Sequence, residues 1–123
     1  MARILLIDDD GPLRTVLAEA LTAAGQEVFQ AEDGRQGVEV FRAALPDVVV
    51  TDLIMPGKEG IETIAELRKD FPDLPIIAIS GGAPNSKLYL DLAQRLGARR
   101  VIAKPFYVQE LLRAIEEVLT PPP

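Results

Sequence analysis

The chain has 123 residues, a usual length for one domain, and its 48% hydrophobic and 26% charged residues are typical of a folded globular protein. It contains no cysteine and no histidine, which excludes disulfides, thiolate or imidazole catalysis and soft-metal sites. The net charge of −6 argues against direct binding to nucleic acid, and no apolar run approaches the roughly 20 residues that span a bilayer.

Short apolar segments rich in β-branched residues alternate along the chain with segments of helical periodicity. The first apolar run stops after Ile7 at three aspartates, which is unlike a signal peptide, so we expect a cytoplasmic protein without a membrane partner. The five predicted strands cover residues 3–7, 27–30, 47–51, 75–79 and 99–103.

Five amphipathic helices are predicted between and after these strands. The first has an apolar face that includes Val16, and it is bounded by Pro12 and Gly25. The second is expected to begin after a cap at Asp33 and to include Leu45 on its apolar face. The remaining three lie within residues 61–71, 89–96 and 109–119.

Alternating strands and helices of this kind predict an α/β fold, with a parallel sheet covered by helices on both faces. The third and fourth strands are continuously apolar, as expected for strands buried on both faces. We expect one domain of residues 1–120 and a proline-rich tail at 121–123. The tail either ends a stand-alone protein, which we favour, or begins a linker to a further domain.

Polar side chains follow four of the predicted strands: Asp8, Asp9 and Asp10 after the first, Asp52 after the third, Ser80 after the fourth and Lys104 after the fifth. The carboxyl ends of parallel strands share one edge of the sheet, where ligands bind. Clustered carboxylates repel one another unless a cation joins them, and Mg²⁺ (or Mn²⁺) prefers such oxygen ligands. The ammonium and the hydroxyl suit the oxygens of a phosphoryl group.

Each of these residues also has an ordinary structural explanation when it is taken alone. Asp10 is expected to cap the first helix, and Ser80 can simply begin a turn. The combination of the four strand ends is what favours phosphoryl chemistry. In a chain without cysteine or histidine, a carboxylate is the plausible group to accept a phosphoryl group covalently.

Over essentially its whole length, the chain resembles the receiver domain of two-component response regulators. The resemblance rests on ILLIDDD at 4–10, VVVTDLIMPG at 48–57, IAIS at 77–80 and KPF at 104–106, in this order and at these spacings. It implies a flavodoxin-like, doubly wound (βα)5 fold, with a five-stranded parallel sheet of order 2-1-3-4-5.

The resemblance also implies a function in phosphorelay signal transduction. Asp52 would accept a phosphoryl group from a sensor histidine kinase or a histidine phosphotransfer protein, and the resulting aspartyl phosphate would later hydrolyse. The chain would then be a signalling phosphoacceptor and not an enzyme acting on other substrates. Its phosphorylated form would act on a downstream protein whose identity the resemblance does not give.

For the site residues, the resemblance implies that Mg²⁺ is bound by Asp9, by the phosphoacceptor Asp52 and by the backbone carbonyl of Ile54, while Asp8 holds a metal-bound water. Two further residues would contact the phosphoryl group. Lys104 would do so next to a cis peptide bond to Pro105, and Ser80 would swing toward the phosphoryl group on activation.

One position departs from the family pattern. Many receivers carry an aromatic residue three positions before the lysine, where this chain has Val101. We therefore expect activation to move the loop from Ser80 to Lys87 and the fourth helix, without the inward turn of an aromatic ring.

Two other interpretations remain open at the level of sequence. A haloacid-dehalogenase-type phosphatase also forms an aspartyl phosphate, and Asp8 and Asp10 fit its Asp-x-Asp template. That interpretation lacks a further acidic pair and gives Asp52 no role. A receiver fold that only binds partners, without phosphorylation, is the second alternative, although all of the residues needed for phosphorylation are present.

Overall fold

The structure is a computed structural model that describes residues 1–53, 60–81 and 86–120. Strands and helices alternate from the first residues to the last. They are β1 (Arg3–Ile7), α1 (Gly11–Ala23), β2 (Glu27–Ala31), α2 (Gly34–Ala44), β3 (Val48–Asp52), α3 (Gly60–Asp70), β4 (Ile76–Ser80), α4 (Ser86–Arg95), β5 (Arg100–Ala103) and α5 (Val108–Leu119).

The five strands form one parallel sheet of order β2-β1-β3-β4-β5, which confirms the predicted flavodoxin-like α/β fold. The register brings the carboxyl ends of the strands level with one another. Thr51 lies opposite Ile7, and Ser80 lies opposite Ala103. The residues that follow β1 and β5 therefore lie at the same edge of the sheet as Asp52, the last residue of β3.

The sheet has a hydrophobic core on each face. Leu5, Ile7 and Val49 pack on one face with residues of α2, α3 and α4, whereas Ile4 and Leu6 pack on the other face with residues of α1 and α5. Alternate residues of a strand point to opposite faces, so a strand buried on both sides must be apolar throughout. This explains the continuous apolar runs of β3 and β4, whose residues are all buried.

The two predicted aspartate caps are confirmed. Asp10 Oδ1 accepts a hydrogen bond of 3.1 Å from the Leu13 N–H at the start of α1. Asp33 Oδ1 accepts one of 2.8 Å from the Gln36 N–H at the start of α2. Each cap satisfies a backbone donor that has no partner within its helix.

Two residues that periodicity places in the core are exposed. Val16 is 58% exposed, because α1 faces the sheet with Leu17, Ala18 and Leu21 and leaves the neighbouring position outside. Leu45 is also 58% exposed, because it ends α2 in the left-handed conformation, with φ 48°.

Within the described residues, none of the helices combines the length and the hydropathy that crossing a bilayer requires.

Candidate functional site

Three aspartates meet at the carboxyl ends of β1 and β3. Asp8 and Asp9 directly follow β1, and Asp52 is the last residue of β3. One carboxylate oxygen from each lies within 4.8 Å of those of the other two. Asp8 and Asp52 are buried, with 3% and 9% exposure, whereas Asp9 is exposed to solvent. The group therefore has two fixed inner carboxylates and one carboxylate that a solute can reach.

Hydrogen bonds from the backbone orient the two buried carboxylates. Asp52 Oδ1 accepts a bond of 2.8 Å from the Leu53 N–H, and Asp8 Oδ1 accepts one of 2.9 Å from the Asp10 N–H. The second oxygen of each carboxylate faces Lys104. The Lys104 Nζ lies 3.3 Å from Asp52 Oδ2 and 3.8 Å from Asp8 Oδ2. The ammonium thus bridges the two inner carboxylates.

Charge is incompletely balanced within this group of four side chains. Three carboxylates and one ammonium leave two negative charges without a counter-charge. A divalent cation bound by oxygen ligands would neutralise them, and Mg²⁺ is commonly held by one or two carboxylates together with water and phosphate oxygens. The chemistry of the donor set therefore fits Mg²⁺.

Ser80 lies at the end of β4, beside the strand that carries Asp52. Its Oγ is buried and makes no hydrogen bond with any residue that the structure describes. A buried hydroxyl without a partner costs roughly 1–3 kcal/mol. Such a donor is well suited to an acceptor that arrives from solution, such as a phosphoryl oxygen. The Lys104 N–H donates to the Ser80 carbonyl over 2.9 Å and joins the ends of β4 and β5.

The structure thus brings together Asp8, Asp9, Asp52 and Lys104, with Ser80 at the end of the strand next to Asp52. Their chemical roles stay predictions. The peptide bond between residues 104 and 105 is cis, as expected from the resemblance. The predicted metal-binding carbonyl, that of Ile54, lies outside the described residues, as does the part of the Ser80–Lys87 loop at 82–85.

Two residues that support the site were not predicted from the sequence. Arg14, in α1, donates a hydrogen bond of 2.7 Å from its guanidinium to the Asp8 carbonyl. Gly60, the first residue of α3, donates its N–H to the Leu53 carbonyl over 3.0 Å. Both contacts join segments that periodicity treats separately, so no local pattern could have revealed them.

Burial raises the pKa of Asp8 from its ordinary value of 3.8 to about 6. The Asp10 N–H lowers the pKa, the negative charge of Asp52 raises it, and smaller contributions come from Lys104, which lowers it, and Asp9, which raises it. Loss of solvation outweighs the favourable contacts because a buried carboxylate loses most of its hydration. The surroundings of Asp8 therefore disfavour its ionised form.

This pKa predicts how the stability of the metal-free protein depends on pH. Between pH 4 and 6 the folded state binds more protons at Asp8 than the unfolded state does, so this group destabilises the protein as the pH rises. The penalty is complete above about pH 6 and absent below about pH 4. Asp8→Asn is therefore expected to raise the free energy of unfolding at pH 7 by roughly 2–3 kcal/mol.

Urea unfolding at pH 5, 6 and 7 in the presence of EDTA measures this effect. Asp91→Asn, at an exposed position of α4, is the control and should leave the free energy of unfolding nearly unchanged. If Asp8→Asn lowered the stability at pH 7, the carboxylate of Asp8 would be a stabilising group and the raised pKa would be wrong.

The family comparison decides which class of protein carries this site. Residues 4–116 match the response regulator receiver domain. The chain belongs to the response regulator receiver family. Receivers are signalling modules and not enzymes that act on separate substrates. The match decides against the haloacid-dehalogenase-type alternative. Asp10, the second aspartate of that template, instead uses its carboxylate to cap α1.

Solved structures of receivers share the fold over nearly the whole chain. A response regulator receiver domain protein from Clostridium thermocellum is 30% identical with a TM-score of 0.90, and the match covers 97% of this chain and 94% of that one. The chemotaxis response regulator CheY4 of Vibrio cholerae is 30% identical with a TM-score of 0.85, covering 97% and 99%.

NtrX from Brucella abortus provides a third comparison. Its receiver domain is 30% identical to this chain, with a TM-score of 0.87, and the match covers 94% of this chain and 97% of that domain. A separate match to a longer NtrX chain covers 96% of this chain but only 27% of that one. The receiver is thus found both as most of a chain and as a minor part of one.

Proposed function

We propose that this receiver accepts a phosphoryl group on Asp52 from a phosphohistidine of a sensor histidine kinase or a histidine phosphotransfer protein. The family implies a histidine kinase as the partner. The observation that most supports the proposal is the meeting of three carboxylates beside the Lys104 ammonium, which lies 3.3 Å from the Asp52 carboxylate. A site that only bound partners would not need to hold these charges together.

In the proposed reaction, a carboxylate oxygen of Asp52 attacks the phosphorus atom. A P–O bond forms, the P–N bond of the phosphohistidine breaks, and the electron pair of that bond stays on the imidazole. Lys104 offsets the negative charge of the phosphoryl oxygens, and the Ser80 hydroxyl donates to one of them. Hydrolysis later breaks the acyl phosphate, releases inorganic phosphate and restores the Asp52 carboxylate. These are electrostatic and positioning roles, which dominate phosphoryl transfer.

The proposed metal ligands are Asp8, Asp9, Asp52 and the backbone carbonyl of Ile54, with Asp8 acting through a bound water. When bound, Mg²⁺ would supply positive charge next to the phosphoryl oxygens. The residues of the chain would hold the ion close to Asp52, and backbone hydrogen bonds fix the directions of the two inner carboxylates.

Phosphorylation would act as a switch through Ser80. Three new acceptor oxygens would draw the Ser80 hydroxyl, which has no hydrogen-bond partner among the described residues, and the loop behind it toward Asp52. This movement would bias the position of α4. The partly exposed Val101 replaces the usual aromatic residue, so we propose that a downstream protein reads the loop and α4. Receivers are typically cytoplasmic, and we propose that location for this protein, with residues 1–120 as the receiver unit.

Intact-mass analysis after incubation with Mg²⁺ and a small acyl phosphate tests the proposal. The wild type should gain one labile phosphoryl group, and Asp52→Asn should gain none. Asp91→Asn, which alters an exposed aspartate of α4, should gain the phosphoryl group as the wild type does. EDTA should suppress the gain. No gain in the wild type would favour the receiver that only binds partners, and a gain that survives in Asp52→Asn would refute Asp52 as the acceptor.

A further inference from the structure

The carboxylate of Asp9 is held by its backbone alone. Asp9 is exposed, and its side chain makes no hydrogen bond with any residue in the described ranges. Asp8 and Asp52, by contrast, each accept a backbone N–H. The direction of the Asp9 carboxylate therefore depends on the peptide units on either side of it.

Three consecutive peptide units at this turn are each fixed by one hydrogen bond. The Asp8 N–H donates to the Ala31 carbonyl of β2 over 3.1 Å. The Asp8 carbonyl, in the unit that joins Asp8 to Asp9, accepts 2.7 Å from the Arg14 guanidinium. The Asp10 N–H, in the next unit, donates to the Asp8 carboxylate. Arg14 thus holds the peptide unit that leads into Asp9.

Arg14 is itself anchored on a second side. Its Nε donates to Gln30 Oε1 of β2 over 3.2 Å, so the guanidinium connects α1, the turn after β1 and the neighbouring strand. A positive charge close to a cation site opposes cation binding by Coulomb repulsion. Any favourable effect of Arg14 on metal binding must therefore come from geometry and not from its charge.

We infer that Arg14 is a positioning residue for Mg²⁺ binding, because it fixes the peptide unit that directs the Asp9 carboxylate toward Asp8 and Asp52. This inference rests on the proposed function, in which the three carboxylates hold the ion. Partners in the outer shell of a metal site commonly change metal affinity by 10–100-fold. The hydrogen bond from Arg14 to the Asp8 carbonyl is such an outer-shell contact, because it holds the backbone of the proposed metal ligands.

Calorimetric titration of the metal-free protein with Mg²⁺ tests the inference. Arg14→Met is expected to weaken Mg²⁺ binding about tenfold. Arg14→Lys should weaken Mg²⁺ binding about threefold, because lysine keeps the charge and a donor for the Asp8 carbonyl but loses the second hydrogen bond, to Gln30. Arg35→Met is the matched control. It removes an exposed arginine from the first turn of α2, at the same edge of the sheet, and should leave binding unchanged or slightly tighter.

The direction in which Arg14→Met changes the Mg²⁺ affinity distinguishes a positioning effect of Arg14 from the repulsion by its charge. If Arg14→Met bound Mg²⁺ as tightly as the wild type or more tightly, Arg14 would act only by repulsion and the inference would be overturned. Thermal unfolding in EDTA shows whether Arg14→Met is folded at the titration temperature. If it is not, Arg14→Lys decides, and an affinity equal to that of the wild type overturns the inference.

The inference and the proposed function fail in different ways. A wild type that binds no Mg²⁺ and gains no phosphoryl group would refute both. A wild type that binds Mg²⁺ and is phosphorylated on Asp52, beside an Arg14→Met variant of equal affinity, would refute only the role of Arg14.

Discussion

Replacing Lys104 with methionine is expected to slow phosphorylation of Asp52 by about a hundredfold or more and, at the same time, to tighten Mg²⁺ binding. The ammonium lies 3.3 Å from Asp52 Oδ2, where the proposed transfer would place the phosphoryl oxygens. Its removal takes away their counter-charge. The same removal leaves three carboxylates without any compensating side chain in the group, so a divalent cation meets a more negative site.

The opposite directions of the two effects make this prediction specific. A time course of intact mass with an acyl phosphate at saturating Mg²⁺ gives the phosphorylation rate, and calorimetry gives the Mg²⁺ affinity. Lys69→Met, at an exposed position in the last turn of α3, should change neither. A Lys104→Met protein that lost both phosphorylation and Mg²⁺ binding would have lost the fold of the site. A Lys104→Met protein that was phosphorylated at the normal rate would disprove the role assigned to Lys104.

Gly60→Ala is expected to destabilise the protein by roughly 2–3 kcal/mol and to slow phosphorylation of Asp52. A Cβ atom on Gly60 would lie 2.6 Å from the Leu53 Cα and would also collide with the Asp52 carbonyl oxygen. Both contacts are with backbone, which cannot rotate away as a side chain can. The start of α3 would have to move away from the end of β3, which carries the proposed acceptor Asp52.

Gly11→Ala is a matched control for this substitution, because Gly11 is also the first residue of a helix that follows a strand of the site. A Cβ atom there meets nothing within 4 Å, so the change should be neutral or stabilise by a few tenths of a kcal/mol. Urea unfolding and intact mass measure the two effects. Equal stability of Gly60→Ala and Gly11→Ala would show that α3 can shift without cost.

The amino-acid sequence contained most of what defines the elements, because the signals are local. Alternation of apolar strands and periodic helices predicts a parallel α/β sheet, and the caps Asp10 and Asp33 lie within three residues of the donors that they satisfy. The strand order, however, came from the resemblance to receivers, since alternation alone does not say which strands are neighbours. The same holds for the choice of Asp52 as the acceptor.

The tertiary structure decided what depends on distances between remote segments. Periodicity places Val16 and Leu45 in the core, but the way α1 faces the sheet and the left-handed end of α2 leave both exposed. The burial that raises the pKa of Asp8 arises only in the folded chain. The bond from Arg14 to the Asp8 carbonyl forms only once α1 lies against the turn after β1, because neighbours in space need not be neighbours in the sequence.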